Sequence, residues 1–406
     1  MATGRADQNL IRRLNSALIL DQLLVSSPQS RANLAQQTGL NRSTISSLVN
    51  NLLCQGLIRE VGPEAAESRG RPGILLELNP RGGCIVGIEI SVNYISAILT
   101  DFTAHTLWRR QVEFAEGMPQ ADVLALAEDL IHAALRAGSA HQLRPLGIGI
   151  GAPGLVDGEN RVLVYAPNLR WHHVSFQDLW GQKFGVPLYI ENDGNASALG
   201  EYYFGVAKGC RNFIYLGTGI GLAGGLMLNG QLYQGANGYA GEVGHIAVTT
   251  TGELCNCGRR GCWEMFVGSR AVIRGIVQAL DAGASSGITA LVGGDLGRIT
   301  MSVVAEAANQ DDPLSLAALA DVAHYLGIGI ANLINLFNPE LIVLGGMLIP
   351  VAEYLMPTIS RRIAAEALSD PARSVALALS SQGSDVCVKG AVALVIDRIV
   401  REPGFC

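Results

Sequence analysis

The chain has 406 residues, of which 49% are hydrophobic and 49 are glycines. That length allows two or three domains, and the composition excludes disordered and fibrous proteins in favour of a tightly turned α/β protein. The net charge is −6, yet residues 1–80 carry eight arginines, no lysine and six acidic residues, a net charge of +2. A basic N-terminal segment on an acidic body is typical of a DNA-binding module joined to a small-molecule domain.

The cysteines favour a reducing compartment. Of the eight, three lie between residues 255 and 262 and the others are scattered, which is unlike a disulfide framework. The N-terminal segment is too polar for a signal peptide. No apolar run approaches about 18 residues without a glycine or a charge, so no transmembrane helix is predicted. We therefore expect a cytoplasmic protein with no membrane partner.

Three helical patterns precede residue 55. The first runs from about Gln8 to Val25 and has its apolar residues on one side. Ser30 can cap a second helix over residues 31–38, and Asn41 can cap a third that ends near residue 55. The apolar residues on that side of the first helix are Leu10, Leu14, Ala17, Leu18 and Leu24.

The second and third helices have the spacing of a helix-turn-helix. A small residue at Ala35 lets the helices approach, Gly39 makes the left-handed turn and Ile45 fills the crossing. Short hydroxyl and amide side chains on the polar side of the third helix can enter a major groove. An ordinary solvated face has the same composition. The predicted DNA contacts on this helix are Arg42, Ser43, Thr44, Ser46, Ser47 and Asn50.

Residues 57–61 and 73–78 are predicted to form a hairpin, and the polar loop between them carries Arg69, Gly70 and Arg71. An arginine-tipped hairpin is a wing that can reach a minor groove or the adjacent phosphates. The alternative is an exposed flexible linker. The preceding helices favour a winged helix-turn-helix with all three loop residues in contact with DNA.

From Cys84 the chain changes to apolar strands punctuated by glycine. Residues 84–100 and 213–228 have the pattern of hairpins, and the strands at 146–150 and 341–347 end on glycines. Two β-rich lobes that each open with a hairpin predict a duplicated fold around a cleft. The predicted domains are a head of residues 1–80, a first lobe of residues 81–195 joined by a C-terminal helix of about 389–406, and a second lobe of residues 196–388.

Asn192 and Asp193 lie where a predicted strand leads into a helix, a usual position for ligand sites in α/β proteins. The Asp193 carboxylate can accept a hydrogen bond from a sugar hydroxyl and, in an enzyme, would take its proton during phosphoryl transfer. The alternative for Asp193 is a helix cap. The glycine run at 217–221 can cradle a phosphate through its N–H groups, although such a run is more often a tight turn.

The segment from Gly241 to Glu264 carries a Cys₃His set with the composition of a structural zinc site. Four protein ligands fill the coordination sphere, so the metal would hold a loop together rather than activate water. The alternative is three unrelated cysteines near a core histidine. The predicted Zn²⁺ ligands are His245, Cys255, Cys257 and Cys262.

Together these motifs resemble the ROK family (repressors, open reading frames and sugar kinases), in its transcription-factor branch, over essentially the whole chain. The resemblance implies an α/β protein with an N-terminal winged helix-turn-helix and a two-lobed actin-like (ribonuclease-H-like) body. It further implies homodimers or homotetramers and a sugar in the cleft, with His245 serving both metal and sugar. The implied sugar contacts are Asn168, Asn192, Asp193, Glu242, His245 and Glu264.

The departure from the family's kinases lies at residues 89–93. Kinases of the family carry Asp-x-Gly-Gly-Thr there to hold ATP phosphates, whereas this chain has Glu-Ile-Ser-Val-Asn. Both glycines that allow close backbone approach are replaced. We therefore expect a repressor of carbohydrate-utilisation genes that binds operator DNA and a sugar effector, and not an enzyme. Two alternatives are an active ATP-dependent sugar kinase with a DNA-binding head, in which Asp193 is the base, and a repressor controlled by a protein partner.

Overall fold

The computed structural model describes residues 8–63 and 73–401. It forms two compact units. The first unit comprises residues 1–203 and 387–406, and the second comprises residues 204–386. Each unit has its own five-stranded sheet.

The N-terminal head has the predicted helix-turn-helix. The Ser30 side chain accepts from the Asn33 N–H at 3.4 Å, and the Asn41 side chain accepts from the Thr44 N–H at 2.8 Å. Gly39 has a φ of +70°, the left-handed conformation that ends the second helix. The elements are α1 (Gln8–Val25), β1 (Gln29–Ser30), α2 (Arg31–Thr38), α3 (Arg42–Cys54), β2 (Ile58–Pro63) and β3 (Ile74–Leu78).

The strands of the head form a small antiparallel sheet of order β1-β3-β2. The hairpin of β2 and β3 confirms the two strands predicted for the wing. Strand β1, only two residues long, was not predicted, because so short a segment has no periodicity of its own. It places the start of α2 beside β3.

The side of α1 expected to be its apolar face is exposed, contrary to prediction. Leu10, Leu14 and Leu18 are 45%, 55% and 43% exposed. Helix α1 packs against α2, α3 and β3 through another side. Leucine and isoleucine occur on both sides of this helix, so periodicity alone could not choose between them. The buried apolar residues of α1 are Ile19, Leu20 and Leu23.

The body of the first unit is built on a sheet of order β11-β7-β4-β5-β6. Strands β4, β5 and β6 are antiparallel neighbours, whereas β7 and β11 run parallel to β4. The elements are β4 (Cys84–Ile90), β5 (Tyr94–Asp101), β6 (Thr106–Glu113), α4 (Gln120–Ala140), β7 (Pro145–Ala152), β8 (Leu155–Asp157), β9 (Val162–Ala166), β10 (Trp171–Ser175), α5 (Phe176–Trp180), β11 (Leu188–Asn192) and α6 (Asp193–Phe204).

The second unit repeats this topology in a sheet of order β14-β13-β12-β15-β16. Here β12, β13 and β14 are antiparallel neighbours, and β15 and β16 run parallel to β12. The elements are β12 (Phe213–Thr218), β13 (Leu222–Leu228), β14 (Gln231–Leu232), α7 (Glu264–Val267), α8 (Ser269–Asp281), α9 (Ile288–Leu291), α10 (Met301–Ala308), α11 (Pro313–Phe337), β15 (Leu341–Gly346), α12 (Ala352–Glu366), α13 (Ser369–Ser374) and β16 (Ala376–Leu379).

The equal strand order of the two sheets confirms the predicted duplication. The final helix, α14 (Val386–Arg401), returns the chain to the first unit. It lies on the sheet of that unit, where a Cβ at Gly149 would be 1.8 Å from the Ala391 carbonyl oxygen.

The domain boundary predicted after residue 195 falls inside α6, and the first unit ends at Tyr203 instead. Most of α6 is buried, so the helix stays with the first unit as one piece. The predicted head and first lobe both belong to that unit.

Among the described residues, α11 is the one helix long and apolar enough to cross a membrane. Half of its most apolar stretch is buried inside the protein. Leu319, Ile330 and Ile334 on this helix are at most 1% exposed and lie in the core of the second unit. A long apolar helix with buried residues is also typical of the core of a globular protein.

Candidate functional site

Asp193 is the first residue of α6 and follows directly on the end of β11. Strand β11 is parallel to β7, so this end of the sheet brings the turn after β7 beside the start of α6. The Asp193 side chain is half-buried, and its Oδ1 accepts from the Gly194 N–H at 2.9 Å. Burial raises the pKa of Asp193 to about 6, although hydrogen bonds from backbone N–H groups oppose the shift.

Asn192 is the residue that caps α6. Its Oδ1 accepts from the N–H groups of Gly194 at 2.8 Å and Asn195 at 3.2 Å. Its Nδ2 donates to the Gly154 carbonyl oxygen at 3.0 Å. The amide therefore joins the turn after β7 to the first turn of α6, and this leaves Asp193 free of the capping role that was its alternative.

Two neighbours of this pair had no predicted role. Glu191 is 2% exposed, and its Oε1 accepts from the Asn195 amide at 3.0 Å and from the Asn192 N–H at 2.9 Å. Gly154 has a φ of +105°, and a Cβ there would lie 2.2 Å from the Tyr165 carbonyl oxygen. The roles of Glu191 and Gly154 are visible only from these hydrogen bonds and this close backbone approach, because residue type alone does not show them. Asn168, the remaining predicted sugar contact of the first unit, is half-buried in the turn between β9 and β10.

The second unit brings the four predicted metal ligands together. One atom from each of His245, Cys255, Cys257 and Cys262 lies within 4.8 Å of all the others. The sulfur atoms of Cys257 and Cys262 are 3.6 Å apart, and Cys255 Sγ is 3.7 Å from His245 Nδ1. These separations match the edge of a tetrahedron around a zinc ion, about 3.8 Å for Zn–S distances of about 2.3 Å. The donor set and its spacing thus fit a zinc ion, and the group can hold a metal.

The backbone of this segment makes that convergence possible. Short bridges pair Ala247 with Cys262 and Leu254 with Arg260. Gly261 has a φ of +79°, and a Cβ there would lie 1.9 Å from the Thr249 carbonyl oxygen, so only glycine fits. The chain must therefore turn back on itself between the ligands.

The pKa values of two of the four ligands are shifted in opposite directions. Burial raises the pKa of Cys255, and the hydrogen bond to Glu264 raises it further. Burial opposes the shift at Cys257, but hydrogen bonds from Arg259 hold the pKa of that thiol below its usual value. Arg259 therefore favours the thiolate, the form of cysteine that binds metal.

Two carboxylates lie on either side of His245. Glu264 Oε1 is 3.6 Å from His245 Nδ1 and 2.9 Å from Cys255 Sγ. Glu242 Oε2 is 3.9 Å from the other ring nitrogen, Nε2. The imidazole thus presents Nδ1 to Cys255 and Nε2 to Glu242.

The hairpin turn between β4 and β5 and the one between β12 and β13 differ in what occupies them. Between β4 and β5, Ser91 N–H donates to the Tyr94 carbonyl oxygen at 2.9 Å, and the Tyr94 hydroxyl donates to Glu89 Oε1 at 2.6 Å. Between β12 and β13, a Cβ at Gly219 would touch nothing, whereas one at Gly221 would lie 2.3 Å from Glu264 Oε2. The glycine at 221 therefore makes room for Glu264, a reason independent of phosphate.

The polar face of α3 is largely exposed. Ile45, Leu48, Val49 and Leu52 are buried, while Arg42, Ser43, Ser47 and Asn50 are exposed and Thr44 and Ser46 are half-buried. Two hydroxyls are engaged within the helix. Ser43 donates to Asn41 Oδ1 at 2.8 Å, and Ser46 donates to the Arg42 carbonyl oxygen at 2.9 Å. The predicted wing contacts Arg69, Gly70 and Arg71 lie outside the described residues.

The sequence pattern that defines the ROK family matches residues 85–398. This chain belongs to the ROK family. Its sequence is 33% identical to the xylose repressor of Bacillus spizizenii over 399 residues, which covers 97% of this chain and 98% of that protein. The relative is matched along its length, head included, which places the chain in the repressor branch.

Solved structures agree with that placement. A ROK family transcriptional regulator described as a homolog of the E. coli MLC protein superimposes with a TM-score of 0.84, at 27% identity, covering 98% of both chains. A ROK family glucokinase from Streptomyces griseus, in complex with glucose and AMPPNP, has a TM-score of 0.67 at 31% identity. The match covers 77% of this chain and 99% of the glucokinase, so this chain is the longer of the two.

Proposed function

We propose that this chain is a sugar-responsive transcriptional repressor of carbohydrate-utilisation genes. The observation that carries the proposal is the presence, in one chain, of a helix-turn-helix with an exposed polar face on α3 and of a half-buried aspartate, Asp193, at the start of α6. The full-length match to a xylose repressor supports this reading and makes D-xylose the first sugar to test.

The head reads DNA through the polar face of α3. Arg42 and the exposed Ser43, Ser47 and Asn50 contact phosphates and base edges in a major groove, and Arg69-Gly70-Arg71 contacts the minor groove or phosphates beside it. Two heads of a homodimer or homotetramer bind half-sites separated by a multiple of about 10 base pairs. The symmetry of the protein then sets the symmetry of the operator.

The side chains proposed to bind sugar are carboxylates, amides and one imidazole. Asp193 accepts hydrogen bonds from sugar hydroxyls, with Asn192 and Asn168 as polar neighbours in the first unit. In the second unit, Glu242 and Glu264 accept from further hydroxyls, and His245 contributes Nε2. Several such hydrogen bonds to charged acceptors are the usual basis of selective polyol binding.

The bound metal in this proposal is Zn²⁺, held by His245, Cys255, Cys257 and Cys262. When bound, it would supply four strong bonds that fix the loop carrying His245, with no position left for a reacting water. The residues of the loop then orient Glu264, because Glu264 Oε1 lies beside both Cys255 and His245.

The chain is proposed as a binder and not as a kinase. Phosphate-binding hairpins use backbone N–H groups that a ligand can approach closely, which glycine permits. In the turn after β4, Ser91 and Val92 occupy the two glycine positions, and the Glu89 carboxylate accepts from the Tyr94 hydroxyl. A base at Asp193 without a phosphate-binding turn does not make a complete site for ATP.

Fluorescence anisotropy tests the proposal. Purified protein is titrated into labelled DNA from around its own gene at fixed salt, with no sugar, D-xylose, D-glucose or N-acetylglucosamine. We expect tight binding that one aldose weakens at sub-millimolar concentration. Binding unaffected by every aldose would contradict the sugar response, and absence of DNA binding would contradict the role of the head. Formation of ADP from ATP, Mg²⁺ and an aldose would overturn the assignment as a binder.

A further inference from the structure

Three side chains lie next to one another across the small sheet of order β10-β9-β8. Tyr165 of β9 is paired with Leu155 of β8 on one side and with His172 of β10 on the other. Side chains of directly paired residues lie on the same face of a sheet. The rings of Tyr165 and His172 are in contact, with their centroids 4.7 Å apart and their planes at 30°. We call Leu155, Tyr165 and His172 the Tyr165 row.

The Tyr165 row is accessible to a ligand. Leu155 and Tyr165 are half-buried, and His172 is exposed. Other apolar residues of the same three strands are buried in the core of the first unit, namely Val156, Leu163, Ala166, Trp171 and Val174. The row therefore presents an apolar and aromatic surface outside that core.

The row begins beside the proposed sugar site. Leu155 directly follows Gly154, whose carbonyl oxygen accepts from Asn192 Nδ2 at 3.0 Å. A Cβ at Gly154 would lie 2.2 Å from the Tyr165 carbonyl oxygen, so the backbone of Tyr165 lies against the same turn. One hydrogen bond and one backbone contact thus join the row to the start of α6.

The hairpin of β9 and β10 also has an unusual backbone. Arg161, Arg170 and His173 have φ values of +58°, +57° and +49°. Few residues other than glycine adopt this left-handed conformation, and those that do cluster at ligand sites. Asn168, one of the proposed sugar contacts, lies in the turn between β9 and β10. The strained backbone and this asparagine both support a ligand-binding role for the hairpin.

A sugar has apolar C–H groups as well as hydroxyls. The carboxylates, amides and imidazole proposed to bind it match the hydroxyls, whereas ligand pockets are otherwise lined mainly by apolar and aromatic side chains. When the ring hydroxyls of a pyranose are equatorial, as in D-xylose and D-glucose, its C–H groups form an apolar surface on each face of the ring. The axial hydroxyl at C4 of L-arabinose or D-galactose interrupts one of these faces.

On this geometry we propose that the Tyr165 row is the apolar wall of the sugar site and selects aldopyranoses whose ring hydroxyls are equatorial. The proposal rests on the proposed function, since it requires a sugar at Asp193. Tyr165 contacts the C–H face of the sugar, and Leu155 and His172 hold the Tyr165 side chain from either side. An axial hydroxyl on that face would lose its water against the ring without gaining an equal hydrogen bond. Tyr165 is thus a specificity-determining residue and His172 a positioning residue.

The test compares Tyr165→Leu with the parent and with Tyr165→Phe, which keeps the ring. Calorimetry on the full chain gives the Kd for D-xylose and for its C4 epimer L-arabinose, and the ratio of the L-arabinose Kd to the D-xylose Kd is the selectivity. If the parent prefers D-glucose or N-acetylglucosamine, that sugar and its C4 epimer replace this pair. We expect Tyr165→Leu to raise the D-xylose Kd at least about fivefold and to lower the selectivity at least about threefold. Tyr165→Phe should keep both within about twofold of the parent.

His172→Ala tests the positioning role at an exposed residue and replaces the first test if Tyr165→Leu does not fold. It should lower the selectivity at least about twofold. The matched control is His173→Asn, on the opposite face of the same strand, since asparagine tolerates the left-handed conformation there. This control should keep the parent's selectivity. The melting temperature and the sugar-free operator Kd report the folding of each variant.

A merely structural role for the row predicts a different result from a role in sugar selection. Loss of a structural contact would lower the melting temperature and weaken both sugars by the same factor, so the selectivity would not change. Unchanged selectivity in folded Tyr165→Leu or His172→Ala therefore overturns the proposal, as does a parent that binds both epimers equally. A parent that binds no aldose contradicts the proposed function instead, and with it this inference.

Discussion

Asn192 donates through Nδ2 to the carbonyl oxygen of Gly154 at 3.0 Å, and this bond ties the turn after β7 to the start of α6. The neighbouring Asp193 is not required as the cap of α6, because the Asn192 side chain already accepts from the N–H groups of Gly194 and Asn195. One residue of the pair holds the backbone, and the other presents a carboxylate. This division of roles gives the first prediction.

Asp193→Asn should abolish the response to sugar and leave operator binding intact. The amide keeps the shape of the side chain but removes the charge that strengthens hydrogen bonds from sugar hydroxyls, so each bond falls from a contribution of about 1.5–3 kcal/mol to about 0.5–1.5 kcal/mol. Calorimetry with D-xylose measures the binding, and anisotropy measures operator affinity. An equal sugar response in variant and parent would refute the role of Asp193.

Sugar affinity should fall as the solution is acidified through pH 6. The pKa of Asp193 is about 6 because of burial, so at pH 5 only about one molecule in ten carries the charged acceptor. We expect the sugar Kd to rise up to about tenfold between pH 7.5 and pH 5. The control is the metal content at each pH, since protons also compete for His245 and the cysteines. A constant Kd with constant metal content would rule out the charged form as the acceptor.

Cys257→Ser should lose the metal and lower the melting temperature. Three remaining ligands cannot complete the tetrahedron, and the free energy of metal binding contributes to folding of the loop. Elemental analysis should find about one zinc per parent chain and far less in the variant, and calorimetry should show a melting temperature lower by several degrees. The matched control is Cys210→Ser, a half-buried cysteine of the same unit outside the cluster. A zinc-free variant with the parent's melting temperature would refute a structural role for the metal.

Asp21→Asn should stabilise the protein at neutral pH. Burial raises the pKa of Asp21 to about 6 from its ordinary 3.8, so the folded state binds this proton more tightly than the unfolded state. The charged carboxylate therefore costs stability above pH 6, and that cost disappears as the pH falls to about 4. We expect a gain of about 1–2 kcal/mol at pH 7.5 that narrows at pH 4.5.

Scanning calorimetry at the two pH values checks this prediction. Asp129→Asn, at an exposed position of α4, is the matched control and should change stability little. A variant less stable than the parent at pH 7.5 would mean that the attraction between Asp21 and Arg401 exceeds the cost of burial and of the Asp397 charge.

Asn50→Ala should weaken operator binding without changing sugar affinity. Asn50 is exposed on the polar face of α3, and loss of an asparagine contact to a base costs about 1–3 kcal/mol. Anisotropy with operator and with a scrambled duplex separates base contacts from phosphate contacts. The control is Asn51→Ala on the same helix. Equal affinity of parent and Asn50→Ala for the operator would place the base contacts elsewhere.

The sequence predicted the features that local spacing determines. The caps at Ser30 and Asn41, the turn at Gly39 and the convergence of the four metal ligands each depend on residues a few positions apart, and the structure has all of them. The repeated hairpins also predicted the duplication, because each repeat has its own pattern of strands and glycines. Local chemistry was sufficient for these elements.

The features that were missed depend on residues far apart in the chain. The packed side of α1 is decided by α2, α3 and β3, and leucines on both sides made the wrong face equally plausible. The hydrogen bond from the Tyr203 hydroxyl to Asp397 joins residues 194 positions apart, and a tyrosine or an aspartate in a helix has no signal that predicts such a partner. The capping role of Asn192, whose amide bonds to Gly154, Gly194 and Asn195, was likewise not predicted, and its contact with sugar stays a prediction.

The matching order of the two sheets has an evolutionary consequence. Each half of a duplicated ancestor carried the same hairpin, so the turns after β4 and β12 began as equivalent places. The second still has its glycines, and the first holds Ser91-Val92-Asn93. On the proposed function, a family member that consumes a sugar and one that senses it differ in this turn and in the presence of a head, while the rest of the body is shared.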